Sequence, residues 1–180
     1  MIKKLIVLMM LLTIFFLSGC WDIKEVERTQ FPAYITIDKS KEASDSYRYS
    51  IQFPVIQAQA SKKVNTLTVN AKSLQEAINK FHLRTMGRIS LGMLKTVIFS
   101  QEVAEEGLIS HIDVLWRNPI VAGTIVFAIT TGQANKFKDI KVPTTDNLGS
   151  YLESLFHTAS GNSLIAQESL NDFFISLKKK

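Results

Sequence analysis

Cysteine is nearly absent from this sequence, since Cys20 is the only one in 180 residues. A lone cysteine cannot form an internal disulfide, a zinc knuckle or a redox pair. Histidine is scarce too: His82, His111 and His157 are the only three, and they share no spacing typical of metal ligands. Each lies in a segment with helical periodicity, where we expect a surface or edge position. The sequence therefore predicts neither a disulfide scaffold nor a metal site.

Motifs of the common catalytic classes are missing as well. Gly87–Gly92 has the glycine spacing of a phosphate-binding loop, but Met93 stands where that loop requires lysine. Ser176 and Lys179 have the spacing of a serine–lysine catalytic motif. Because Lys179 belongs to a run of lysines, we interpret this match as a chance feature of a basic segment. The acidic segment Glu102–Glu106 falls in the first turns of a predicted helix, where carboxylates favour the helix dipole on a solvated face. We therefore expect no enzyme and no cofactor.

The N-terminus has the three parts of an export signal, namely basic Lys3 and Lys4, the apolar run Leu5–Leu17, and small residues before Cys20. The apolar run is too short to span a bilayer comfortably and suits a signal peptide. Its end resembles the bacterial lipobox, in which the cysteine sulfur receives a diacylglyceryl group and the signal is cleaved just before it. The residues concerned are Leu17, Ser18, Gly19 and Cys20. An uncleaved anchor and a plain secretory signal are the alternatives.

This interpretation divides the chain into residues 1–19 as a lipoprotein signal peptide, 20–30 as a lipid-anchored tether and 31–180 as one domain. Two or more acyl chains on Cys20 make a stable anchor, at about 0.8 kcal/mol per buried methylene. Without Lys3 and Lys4 the formal net charge falls from +5 to +3. This modest charge does not indicate a nucleic-acid partner.

Alternating or continuous apolar residues predict five strands, at residues 31–38, 47–55, 64–70, 95–99 and 124–130. The first strand is expected to be half buried, with Ile35 and Ile37 facing the core and Tyr34, Thr36 and Asp38 on the other side. The first two strands, joined by a polar connection, should form an antiparallel pair. Residues 57–63 are expected to form a loop.

Apolar residues at helical spacing predict helices that begin at or after Ser73, Ser100, Ser110, Asp146 and Ser169. The first has a capping box, because Glu76 follows Ser73 by three residues. Its apolar stripe consists of Leu74, Ala77, Ile78 and Phe81. The apolar stripe of the second helix is expected to extend through Gly107 and Leu108. The order of elements predicts an α+β fold, with a sheet of about five mostly antiparallel strands covered by helices.

Several segments, in this order, resemble the Ger(x)C lipoproteins, the C subunits of bacterial spore germinant receptors. They are Cys20-Trp21-Asp22, the strand end Ile35–Asp38, Arg88–Leu108 and Ile112–Thr130. The resemblance covers essentially the whole mature chain. Met93 and Asn118 depart from the histidine and aspartate that relatives often carry there. Because family members are longer, the resemblance implies that this sequence holds their N-terminal domain, as a truncated gene, a partial sequence or a natural short form.

The resemblance implies a lipid-anchored subunit on the extracytoplasmic face of the spore inner membrane. It would assemble with the membrane subunits A and B and act in spore germination, either as structural support or in signal transmission. The alternative is an extracytoplasmic lipoprotein that binds a small solute or a cell-wall component. An extended, aromatic-lined cleft would favour solute binding, whereas a broad apolar surface patch would favour subunit contact.

Overall fold

The computed structural model describes residues 3–4, 9, 29–42, 46–54, 64–85, 87–140, 148–161 and 169–178. Its strands are β1 (Thr29–Gln30), β2 (Tyr34–Lys39), β3 (Tyr47–Pro54), β4 (Val64–Ala71), β5 (Arg88–Ile89), β6 (Thr96–Ser100) and β7 (Val126–Thr130). Its helices are α1 (Leu74–Arg84), α2 (Gln101–Glu106), α3 (Ile109–Trp116), α4 (Leu148–Gly161) and α5 (Leu170–Lys178). Two 3₁₀ helices, Leu91–Met93 and Ala134–Asp139, complete the described elements.

The central sheet has five strands in the order β4-β3-β2-β6-β7, and β1 and β5 form a separate short parallel pair. The predicted α+β class and the five-stranded sheet are confirmed. The pairings of β2 with β3 and of β3 with β4 are antiparallel, but those of β2 with β6 and of β6 with β7 are parallel. The sheet is therefore mixed. The connections that lead to β6 and β7 contain helices, and such crossover connections allow these strands to run parallel to β2.

Other elements cover both faces of the sheet. One face packs against α1 and α3 in the larger hydrophobic core. The other packs through Ile98 against Leu152 of α4 and against the second 3₁₀ helix. Tyr34, Thr36 and Asp38 are therefore buried. The expectation of a half-buried β2 was wrong, because this second layer comes from residues far along the chain.

The start of α1 matches its prediction. The Ser73 Oγ accepts a hydrogen bond from the Glu76 N–H at 3.2 Å. The Glu76 carboxylate in turn accepts from the Lys72 N–H at 2.9 Å, one residue before the N–H that a standard capping box uses. All four residues of the predicted apolar stripe are buried: Leu74, Ala77, Ile78 and Phe81.

The helix α2 ends earlier than predicted, at Glu106. Gly107 has a φ of 112°, in a region that glycine adopts far more readily than other residues. Its N–H bonds the carbonyl of Ala104 and closes the helix. Leu108 consequently is the N-cap residue of α3 and does not extend the stripe of α2. Ser100 precedes α2 as predicted, but its side chain makes no capping hydrogen bond.

The strands β4 and β7 form the two edges of the sheet. Two side chains of α1 bond carbonyl groups of β4: Arg84 donates to Thr68 at 2.8 Å, and Lys80 donates to Asn70 at 2.7 Å. At the other edge, Ile129 of β7 is exposed. Among the described residues, the bridge between Val126 and Ser169 covers the beginning of β7.

The helix α4 approaches the chain just before β2 through Gly149. A Cβ atom at this position would overlap the Ala33 carbonyl, so glycine allows the two backbones to touch. Thr96 on β6 donates a hydrogen bond to the Gly149 carbonyl at 3.2 Å. The predicted cap of this helix, Asp146, lies outside the described residues, as does the predicted loop 57–63.

Candidate functional site

The predicted lipid-attachment site lies outside the described residues, which include neither Cys20 nor the lipobox residues Leu17, Ser18 and Gly19. Lipid attachment at Cys20 stays a prediction. The last two residues of the predicted tether form β1 and pair with β5. Within the described ranges, no helix combines the length and the apolar character needed to cross a bilayer.

A polar cleft of about 180 Å³ opens where β2 and β6 end. Carboxyl ends of parallel strands are common ligand positions in α/β sheets. Its lining comes from the ends of β2 and β6, the start of β3, the first turn of α2 and the turn after β7. These residues include Asp38, Lys41, Arg48, Ser100, Glu102 and Gln133. We call it the strand-end cleft.

One wall of the strand-end cleft is fixed by Asp38. Its two carboxylate oxygens accept hydrogen bonds from the backbone N–H groups of Ala134 and Asn135, at 2.6 and 2.8 Å. Burial raises the pKa of Asp38, although both N–H groups and nearby Arg48 favour the charged form. Asp38 thus ties the second 3₁₀ helix to the end of β2.

The other polar groups of the cleft have few partners. Arg48 lies directly opposite Asp38 in the register of β2 and β3, and the two face the same side of the sheet. The side chains of Arg48, Lys41 and Glu102 make no hydrogen bond or ion pair with a described residue, although Arg48 and Glu102 both act electrostatically on Asp38. Ser100 is only 5% exposed, and its Oγ has no partner in the part of the chain that the structure describes. The cleft therefore holds charges of both signs and an unpaired hydroxyl group.

A second polar cluster lies on the opposite face of the sheet and contains His111. The Nδ1 atom of His111 is 2.9 Å from the Tyr49 hydroxyl, and its ring meets that of Tyr47 edge-on at 4.5 Å. Glu106 accepts from the Tyr47 hydroxyl at 3.1 Å and pairs with Lys39. Burial lowers the pKa of His111 to about 4. His111 is therefore a neutral core residue at pH 7.

The expected surface or edge position was thus wrong for His111, although His82 and His157 are exposed. His111 lies four residues before Leu115, on the inner stripe of α3, and this spacing was the available signal. Among the described residues, no three histidine, cysteine or acidic side chains come together as a metal cluster would require.

Exposed apolar side chains gather at the end of α3 and in the turn that follows it. Trp116 is 43% exposed and stacks on Phe174 of α5, with ring centroids 4.5 Å apart. Ile120 is 57% exposed, and Met93 is 58% exposed. We call Met93, Trp116 and Ile120 the α3-turn surface.

Local packing holds this surface in place. The Asn118 Oδ1 accepts a hydrogen bond from the Ile120 N–H at 3.1 Å. A Cβ atom at Gly92 would lie 3.0 Å from the Ile120 side chain, so the turn approaches the first 3₁₀ helix closely beside Met93. Both positions that depart from the family pattern, Met93 and Asn118, therefore lie at this surface.

Fold and surfaces together define a small α+β domain with a polar cleft at one end of its sheet and an exposed apolar surface. Residues 22–180 match the spore germination protein N-terminal domain family, and the chain belongs to this family. This match confirms the resemblance to the N-terminal domain of the Ger(x)C proteins.

Two curated relatives are spore germination proteins. The chain is 28% identical over 135 residues to "Putative spore germination protein YfkR" of Bacillus subtilis (strain 168), covering 69% of this chain and 34% of the relative. It is 23% identical over 159 residues to "Spore germination protein GerQC" of Bacillus cereus, covering 87% of this chain and 43% of the relative. The aligned region thus spans less than half of either relative. No solved structure matches the chain.

Proposed function

We propose that this protein is the lipid-anchored C subunit of a spore germinant receptor and acts in germination by associating with the membrane subunits A and B. The observation that carries the proposal is the family match over residues 22–180, which starts two residues after Cys20. The similarity to GerQC along 87% of the chain supports it. The domain would sit on the extracytoplasmic face of the spore inner membrane, held there by acyl chains on Cys20.

The α3-turn surface supports subunit contact over solute binding as the main role. Exposed tryptophan, isoleucine and methionine side chains are typical of protein contact surfaces. The strand-end cleft, by contrast, has no aromatic side chain among its lining residues. Its volume of about 180 Å³ is below the roughly 300–1,000 Å³ of pockets for drug-sized ligands.

The anchor is tested by the substitution Cys20→Ser. Because the thioether requires the cysteine sulfur, the variant should accumulate as an unlipidated, uncleaved precursor. Mass spectrometry of membrane-extracted protein measures both properties. A wild-type protein with an unmodified Cys20 thiol, or with a mature N-terminus elsewhere, would contradict the prediction.

Subunit contact is tested by co-purification from spore inner membrane. The substitution Ile120→Glu places a charge on the α3-turn surface and should reduce recovery of the A and B subunits. Leu83→Glu is the matched control, because Leu83 is an exposed apolar residue on α1, with 87% exposure. If neither variant changes the recovery, the α3-turn surface is not the contact. A wild-type protein that recovers neither subunit would contradict the receptor assignment.

A further inference from the structure

We propose that the strand-end cleft binds a small monovalent carboxylate, whose anionic group is held by Arg48 and Lys41. The inference goes beyond membership of a receptor complex, because it concerns a ligand of this domain itself. It rests on the side chains of the cleft that make no hydrogen bond or ion pair with a described residue, on the charge balance of the cleft and on its size.

The cationic side of the cleft is well suited to a carboxylate. Arg48 and Lys41 line the same cleft, and their side chains make no hydrogen bond or ion pair with a described residue. A guanidinium group presents parallel N–H donors that match the two oxygens of a carboxylate. Arg48 also projects from the middle of the sheet, between β2 and β4, so its backbone is firmly placed.

A second observation concerns Ser100, which lines the cleft. Its Oγ is buried and has no partner among the described residues, as is also true of the Tyr34 and Thr36 hydroxyl groups. A hydroxyl group can donate to a carboxylate oxygen. Ser100 is the N-cap residue of α2, but its side chain makes no capping hydrogen bond. Helix capping therefore does not account for the Ser100 hydroxyl group.

Charge and size narrow the ligand class. Lys39 pairs with Glu106, so the remaining cationic groups Arg48 and Lys41 face Asp38 and Glu102. These four charges balance, so a dianion such as hydrogen phosphate would leave more unbalanced negative charge in the cleft than a monovalent carboxylate would. The cleft volume of about 180 Å³ is below the roughly 300–1,000 Å³ of pockets for drug-sized ligands, so the cleft suits a small ligand. A simple carboxylate and a zwitterion with an added ammonium group share the required chemistry.

The test uses the full chain purified in detergent and saturation-transfer NMR with acetate and glycine as probes. Methylammonium is compared directly, and inorganic phosphate, which has no observable protons, is measured by its competition with acetate. We expect saturable binding of acetate, glycine or both, and weaker or no binding of phosphate. Equal affinities would identify a plain carboxylate site, whereas tighter binding of glycine would add Glu102 or Asp38 as the partner of the ammonium group.

Two variants make the test specific. Arg48→Gln should weaken carboxylate binding roughly tenfold or more, and Ser100→Ala should weaken it less. Lys138→Gln, on the exposed side of the second 3₁₀ helix, is the control and should bind like the wild type. Thermal unfolding shows whether each variant is folded. If Arg48→Gln does not fold, the binding measurement on Ser100→Ala still tests the proposal. No saturable carboxylate binding, affinities unchanged in both variants, or tighter binding of phosphate would overturn the proposal. None of these results depends on the A and B subunits.

Discussion

Acidification from pH 7 to pH 4 should destabilise this domain through His111. The folded state holds His111 neutral, because burial lowers its pKa to about 4 from an ordinary value of 6.5. Between these two values the unfolded chain binds the proton and the folded chain does not, so the free energy of unfolding falls as the pH falls. The two pKa values correspond to about 3 kcal/mol, lost progressively below pH 6.5 and fully lost near pH 4.

The measurement is urea unfolding, followed by circular dichroism, at several pH values between 7 and 4. The variant His111→Gln lacks the titrating group. Between pH 7 and pH 4 its free energy of unfolding should therefore fall by about 3 kcal/mol less than that of the wild type. Exposed His82→Gln is the control and should keep the wild-type slope. Glu76 and Glu106, whose pKa values are lowered by hydrogen bonds from lysines, add a loss at the acid end in all three proteins. Identical slopes for wild type and His111→Gln would refute the reasoning.

Two substitutions test how the second face of the sheet is covered. Asp38→Ala should lower the free energy of unfolding by about 2–4 kcal/mol, because the buried N–H of Ala134 and the partly buried N–H of Asn135 lose their acceptor, whereas exposed Asp139→Ala should be nearly neutral. An equal effect of both in urea unfolding would show that Asp38 does not hold the 3₁₀ helix. Gly149→Ala should cost about 1–3 kcal/mol, because the added methyl group overlaps the Ala33 carbonyl. Ser154→Ala on the exposed side of α4 is its control, and a melting temperature unchanged by Gly149→Ala would contradict the close contact.

Local patterns in the sequence predicted the elements well. The capping bond of Ser73 and the stripe that includes Leu74 and Phe81 involve residues at most a few turns apart, so the sequence contains the whole interaction. The alternation in β2 and β3 likewise predicted their antiparallel pairing. These features depend on periodicity, which a single sequence displays directly.

Burial of the second sheet face could not be predicted in this way. Thr36 and Asp38 are polar, and their alternation with Ile35 and Ile37 is typical of a solvated face. The covering 3₁₀ helix bonds Asp38 from 96 residues away, and no local pattern indicates that contact. For the same reason the strand-end cleft was missed, because its lining comes from separate segments of the chain.

The two edges of the sheet differ in their capacity to accept another strand. At β4, an incoming strand would have to displace Arg84 from Thr68 and Lys80 from Asn70, so it would exchange charge-assisted bonds for ordinary ones. Two copies of the domain would therefore be discouraged from joining their sheets at this edge. Among the described residues, no side chain bonds the carbonyl groups of β7 beyond the bridge at Val126, so strand addition by a second copy or by another polypeptide would favour this far edge. The side chains of α1 thus make one edge of the sheet less able than the other to accept an added strand.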